Sequence, residues 1–194
     1  MLSRVELDYP FQRVIEKHVS SGFFECESIL DAGTMERRAY KTGYVSSLAT
    51  WNRLDSSYCI IVVKNNTCNE SNMLLLDLTR FVNLRELIVG DESLMYVNEV
   101  KLIGLSELES VEIGMNSFTQ HKNIAGYDPN RHFYLKNCPK LKSLKMGRYS
   151  FSDYSVIEIE NCGLEMIEMG DLNEWSDSFY WASFELKSIL SHNE

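Results

Sequence analysis

The chain of 194 residues carries 19 Lys and Arg against 28 Asp and Glu, a net charge of −9, with 44% apolar and 24% charged residues. This balance fits a folded domain with a core rather than a disordered chain, and it argues against nucleic acid as partner, which would need a basic stripe. No run approaches the roughly 18 consecutive apolar residues of a membrane span.

Taken in order, the opening MLSRVELDYPFQRVI has no apolar leader segment. Tyr9-Pro10 followed by FQRVIEKHV predicts a short helix, with Phe11, Val14, Ile15, His18 and Val19 on one face and Gly22 as its stop. The segment up to residue 57 holds few periodic signals and a small basic cluster, Arg37, Arg38 and Lys41, that reads as a solvated face. Residues 1–57 are expected to form a small mixed N-terminal cap, because stacked repeats leave an apolar end that atypical segments cover.

From Tyr58 a repeat takes over. The spacing L-x-x-L-x-L-G appears at Leu84–Gly90, Leu108–Gly114, Leu141–Gly147 and Leu164–Gly170, in steps of 24, 33 and 23 residues. Degenerate copies are placed at Ile60 and Val63 and at Leu186 and Ile189. A second apolar block alternates with the first, at 74–78, 100–105, 133–138 and 156–162. Each repeat therefore predicts two short strands, and a fixed period of 20 to 50 residues marks stacked units. The recurring glycine needs either φ > 0 or a close backbone approach. Three residues later come Ser93, Ser117, Ser150 and Asn173, then Leu94, Phe118, Phe151 and, in the last copy, Glu174 and Trp175, a column expected to form an apolar spine.

The 33-residue step places an insertion at 119–132, polar and bearing His121, Tyr127, Arg131 and His132. It reads as a surface loop, and insertions of this kind often lie on a binding side. The five cysteines, at 26, 59, 68, 138 and 162, are odd in number and widely spaced, which suits a reducing compartment. With no leader in view this favours the cytoplasm; a longer native N-terminus would leave a surface or secreted location open. Cys138 and Cys162 occupy like places and are expected to be small buried hydrophobes. The aromatic stretch from Trp175 to Phe184 is expected to pack the last repeats. At the C-terminal end three readings stay open: a fragment of a longer chain, end-to-end self-association, or an aromatic cap.

Stacked strands bring like positions of successive repeats into rows about 4.8 Å apart. One row reads Arg85, Glu109, Lys142, Glu165 and Lys187; another reads Ile88, Glu112, Lys145, Glu168 and Leu190. Alternating signs attract where like signs would repel, so these rows are expected to set register. A protein partner could read the same pattern.

The L-x-x-L-x-L spacing, with Asn137-Cys138 and Asn161-Cys162 at the turns, resembles the leucine-rich repeat family over residues 58–194. The elements Ile113-Gly114 with Ser117-Phe118, and Met146-Gly147 with Ser150-Phe151, resemble its BspA-like variant. The resemblance implies a β-rich repeat solenoid, a right-handed coil with parallel strands, used to bind proteins without cofactor or metal. The sequence departs from the family on the second side, which is extended rather than helical. The rival reading is a carbohydrate-directed parallel β-helix that binds or cleaves polysaccharide, although its clustered carboxylates are not evident. The candidate partner-binding residues are Arg85, Glu109, Glu112, Lys142, Lys145, Glu165, Glu168, His121, Tyr127 and Arg131.

Overall fold

The computed structural model describes residues 40–170 and 176–187. The chain divides into two compact units, Met1–Tyr40 and Lys41–Glu194. The helix expected after Pro10 and the cluster at Arg37 and Arg38 lie outside the described residues.

The second unit is built from short strands: β1 Thr42–Val45, β2 Ile60–Val63, β3 Leu75–Asp77, β4 Glu86–Val89, β5 Glu99–Ile103, β6 Ser110–Ile113, β7 Asp128–Lys136, β8 Ser143–Met146, β9 Tyr154–Glu160, β10 Met166–Met169 and β11 Ser183–Lys187. One helical turn, α1 at Leu48–Trp51, is held by reciprocal bonds between Ser47 and Thr50. From β2 onward the strands alternate between two sheets. The first has the order β1-β2-β4-β6-β8-β10 and the second β3-β5-β7-β9-β11. Every pairing in both sheets is parallel.

The repeat spacing produces this because its apolar residues fall two apart within each strand, so they face the same side. Ile61, Leu87, Val111 and Leu144 stand in register, as do Val63, Val89, Ile113 and Met146. All eight are at most 3% exposed. Val100, Phe133 and Ile157 on the second sheet are buried likewise, with Leu102, Leu135 and Ile159 beside them. Each such side chain stabilises the fold by roughly 1.5–3 kcal/mol when removed from water.

Three details differ from the sequence reading. The parallel pairing begins at Thr42, inside the segment read as cap. The copy placed at Ile60 and Val63, 24 residues before Leu84, would set Val63 opposite Leu87. Ile61 is instead the register partner of Leu87, so the first step is 26 residues, Val63 stands opposite Val89 and Ile60 opposite Glu86. Lys187 pairs with Glu160 on the second sheet, so Leu186 continues the row of Ile159 and not the Leu84 row. Ile189 and Leu190 lie outside the described residues.

The turns after the first sheet use two left-handed residues each: Asn66 and Cys68, Glu92 and Leu94, Asn116 and Phe118, Tyr149 and Phe151, Asp177 and Phe179, with φ from 41° to 61°. Gly170 is itself left-handed at φ 65°, but Gly90, Gly114 and Gly147 serve a different need. A Cβ on Gly114 would lie 2.5 Å from the Asp91 amide nitrogen, and one on Gly147 would lie 2.5 Å from that of Met115. Glycine here admits the backbone of the neighbouring turn.

The predicted aromatic column exists, with Phe179 in the place expected for Trp175. Phe118 and Phe151 stack at 4.5 Å and 9°, and Phe151 and Phe179 at 4.8 Å and 7°. Beside it runs a serine ladder, buried at Ser93, Ser117 and Ser150 and half-buried at Ser178. Ser93 Oγ donates to Lys64 O (2.7 Å), Ser117 Oγ to Gly90 O (2.7 Å), Ser150 Oγ to Gly114 O (2.5 Å) and Ser178 Oγ to Gly147 O (3.2 Å). Each hydroxyl donates to a turn carbonyl, and Lys64 O and Gly147 O also accept from Thr67 Oγ1 and the Ser150 amide. Ser178 takes the place expected for Asn173.

Candidate functional site

A groove of about 380 Å³ opens where β6, β8 and β10 end. It is lined by Gly114, Gly147 and Gly170 together with Asp91, Glu112, Met115, Lys145, Arg148 and Glu168. The outward row Ile88, Glu112, Lys145, Glu168 runs into it in register, as expected. Asp91 is committed to the fold, since its Oδ1 accepts from the Met115 amide at 2.7 Å.

The alternating rows resolve into pairs. Arg85 bonds Glu109 through Nη2 and Oε1, Lys142 Nζ lies 3.3 Å from Glu165 Oε1, and Lys145 Nζ lies 3.9 Å from Glu168 Oε2. Each pair joins repeats 23 or 24 residues apart; among the described residues none of these rows pairs across the 33-residue step. Lys142 and Glu165 are both 69% exposed, so such pairs contribute at most about 1 kcal/mol each. Glu86, between the pairs, has its carboxyl pushed up by burial and by the nearby Glu109 and Glu112 charges. The second sheet carries its own row, with Lys136 Nζ at 2.5 Å from Glu158 and 3.6 Å from Glu160. Its hydrogen bond to Glu158 raises the Lys136 pKa. The alternation was readable in the 133–138 and 156–162 blocks, where Lys136 and Glu160 follow the same turn spacing.

The insertion flanks the groove and is held at two levels. Its base is organised by Asp153, 1% exposed. One carboxylate oxygen accepts from Arg131 Nη1 (3.3 Å); the other accepts from the Gln120 amide (3.0 Å) and lies 3.2 Å from His121 Nδ1. Arg131 also donates to Phe118 O (3.1 Å) and Met95 O (2.9 Å). Thr119 and Ser152 hydroxyls bond at 2.8 Å, and the Gly126 and Asp128 amides donate to Ser152 O and Asp153 O. Higher up, Asn123 and Asn116 exchange two bonds of 2.9 and 3.0 Å, and Lys122 Nζ meets Glu92 at 2.7 Å. Glu92 and Asn116 adjoin Asp91 and Met115 of the groove wall.

This changes the roles assigned from sequence. Arg131 is fully buried, so it anchors the insertion and cannot touch a partner. His121 is half exposed but engaged with Asp153. Tyr127 is 61% exposed and Ile124 56%, two large apolar residues that the braced loop leaves open to solvent. Ser152 donates its hydroxyl to the His121 carbonyl at 3.1 Å, which does not activate it as a nucleophile. Asp153, Asn116, Ile124 and Arg148 were missed. The contacts of Asp153 and Asn116 are tertiary, while Ile124 stands out as the one large apolar residue between Thr119 and Gly126.

Among the described residues no group of three or more His, Cys, Asp or Glu is placed to hold a metal ion, and no helix is long and apolar enough to cross a membrane. Comparison of the chain with known protein families, with curated proteins and with solved structures finds no match, so the assignment of a role rests on the groove and the insertion themselves.

Proposed function

We propose that this chain is a non-enzymatic protein-interaction module of leucine-rich-repeat character, a right-handed β-rich solenoid that engages a protein partner through the groove and the insertion. The observation that carries this is the braced loop presenting Ile124 and Tyr127 beside a groove of mixed charge. Holding an apolar anchor in one conformation before binding reduces the ordering cost of association, and exposed aromatic anchors dominate interface energies. Walls bearing both Lys145 and Arg148 and both Glu112 and Glu168 suit the mixed surface of a protein better than a uniform polyanion.

One observation favours a second reading. The second side of each repeat is a parallel strand rather than a helix, as in a carbohydrate-directed β-helix. Two experiments separate the readings. Photo-crosslinking from position 127 should capture a protein whose yield falls at least tenfold with Ile124→Ala plus Lys145→Glu and is unchanged with Lys101→Ala on the second sheet. Glycan-array binding with no such protein capture would overturn the proposal and favour the β-helix reading.

A further inference from the structure

Cys138 and Cys162 follow two left-handed asparagines, Asn137 (φ 55°) and Asn161 (φ 52°), at the ends of β7 and β9. The residues before them, Lys136 and Glu160, are register partners, and Asn161 Nδ2 donates to Asn137 Oδ1 at 3.1 Å. The two thiols repeat one geometry. Cys138 Sγ lies 3.4 Å from Lys136 O and 3.6 Å from Leu102 O; Cys162 Sγ lies 3.3 Å from Glu160 O and 3.5 Å from Leu135 O. Leu102 and Leu135 are themselves register partners. The cysteines are therefore stacked on adjacent strands, whose separation of about 4.8 Å falls inside the Cα span of roughly 4.4–6.8 Å that a disulfide bridges. A disulfide holds its Cβ atoms about 3.8 Å apart, so bonding requires the two turns to close by roughly 1 Å from the strand spacing.

The pair is asymmetric. Cys138 is fully buried, whereas Cys162 is partly exposed. The neighbouring Cys162 and burial push the Cys138 thiol up, while the neighbouring Cys138 holds the Cys162 thiol below its ordinary value against its burial. Reactivity follows the thiolate and its access. By contrast, burial pushes the Cys68 thiol up to about 11.

We propose that Cys138 and Cys162 form a cross-turn dithiol that hydrogen peroxide converts to a disulfide. The Cys162 thiolate attacks one peroxide oxygen. The O–O bond breaks, leaving a sulfenic acid on Cys162 and a hydroxide that takes up the proton released by the thiol and departs as water. Cys138 sulfur then attacks the sulfenic sulfur. The S–S bond forms as the S–O bond breaks, and the Cys138 proton leaves with that hydroxide as a second water. Two thiols lose two electrons and one peroxide gains them.

The full chain, reduced and then treated with hydrogen peroxide under native conditions, is alkylated and digested with trypsin without reductant. The expected product links peptide 137–140 to peptide 149–187, and the oxidised protein melts at a higher temperature than the reduced one. Cys138→Ser should stop at a Cys162 sulfenic acid that dimedone captures. Cys162→Ser should leave Cys138 fully reduced. The proposal is overturned by linkage of Cys162 to Cys26, Cys59 or Cys68, by undiminished alkylation of Cys162, or by oxidation that accelerates in sub-denaturing urea, which would mean that the pair meets only on unfolding.

Discussion

Replacing Asp153 by Ala tests whether the insertion is part of the fold. The carboxylate is 1% exposed and its partner Arg131 is fully buried. Removing it leaves the guanidinium with two carbonyl acceptors, Phe118 O and Met95 O, and with Asp128 at 3.6 Å, whose side chain is 34% exposed. Breaking one partner of a buried ion pair costs about 3–5 kcal/mol. The remaining acceptors place this site at the lower end, near 3 kcal/mol, and the orphaned Gln120 amide adds about 1 kcal/mol. That is a large part of a typical domain stability of about 5–15 kcal/mol. At a slope of about 2 kcal/mol per molar urea, the unfolding midpoint should fall by roughly 2 M. Tryptophan fluorescence in urea gives the midpoint, and trypsin cleavage after Lys122 reports release of the loop. Asp128→Ala should cost under about 1 kcal/mol, because its pair is partly exposed and long. Arg131→Met with Asp153→Leu should recover most of the loss, since no buried charge then stays unpaired. If Asp153→Ala and Asp128→Ala unfold at the same urea concentration, the anchoring role of this pair is refuted.

Three further outcomes follow from the geometry. Lys145→Glu should destabilise by about 0.5–1 kcal/mol, because three carboxylates then stand in one row, and adding Glu112→Lys and Glu168→Lys should restore it; equal melting of the single and triple variants would count against the register. Gly147→Ala should cost about 1–3 kcal/mol, since its Cβ meets the Met115 backbone, while Gly104→Asn should be nearly neutral. Gly104 has φ 72° with open space around it, and Asn137 and Asn161 already hold left-handed conformations at the like place. Matched melting temperatures for the Gly147 and Gly104 variants would contradict this. Glu86→Gln should stabilise at neutral pH and be neutral below about pH 4. Because the folded carboxyl is raised above its unfolded value, its contribution to stability is present at low pH and lost as pH rises through the folded value. Urea midpoints at both pH values measure it, and a constant difference between them would refute the assignment.

The parallel strands on two sides, their inward rows and the pairing of Lys142 with Glu165 and Lys145 with Glu168 were all legible in the sequence. These features depend on a local period: residues two apart share a face, and residues one repeat apart share a row. The same logic failed where the period failed. The 26-residue first step displaced Ile60 from the inward row, and Lys187 joined the second sheet although its spacing suited the first. The glycine pattern was visible, but whether it served φ or close approach depended on how near the next turn lies, which spacing alone does not state. The insertion was decided by tertiary structure. Nothing in the polar stretch 119–132 marks Arg131 as buried and Tyr127 as exposed. That division exists because Asp153, brought in by the following repeat, satisfies one charge and two further donors at a single point. A polar segment can be solvated or locked, and only the partner that folding delivers to it determines which.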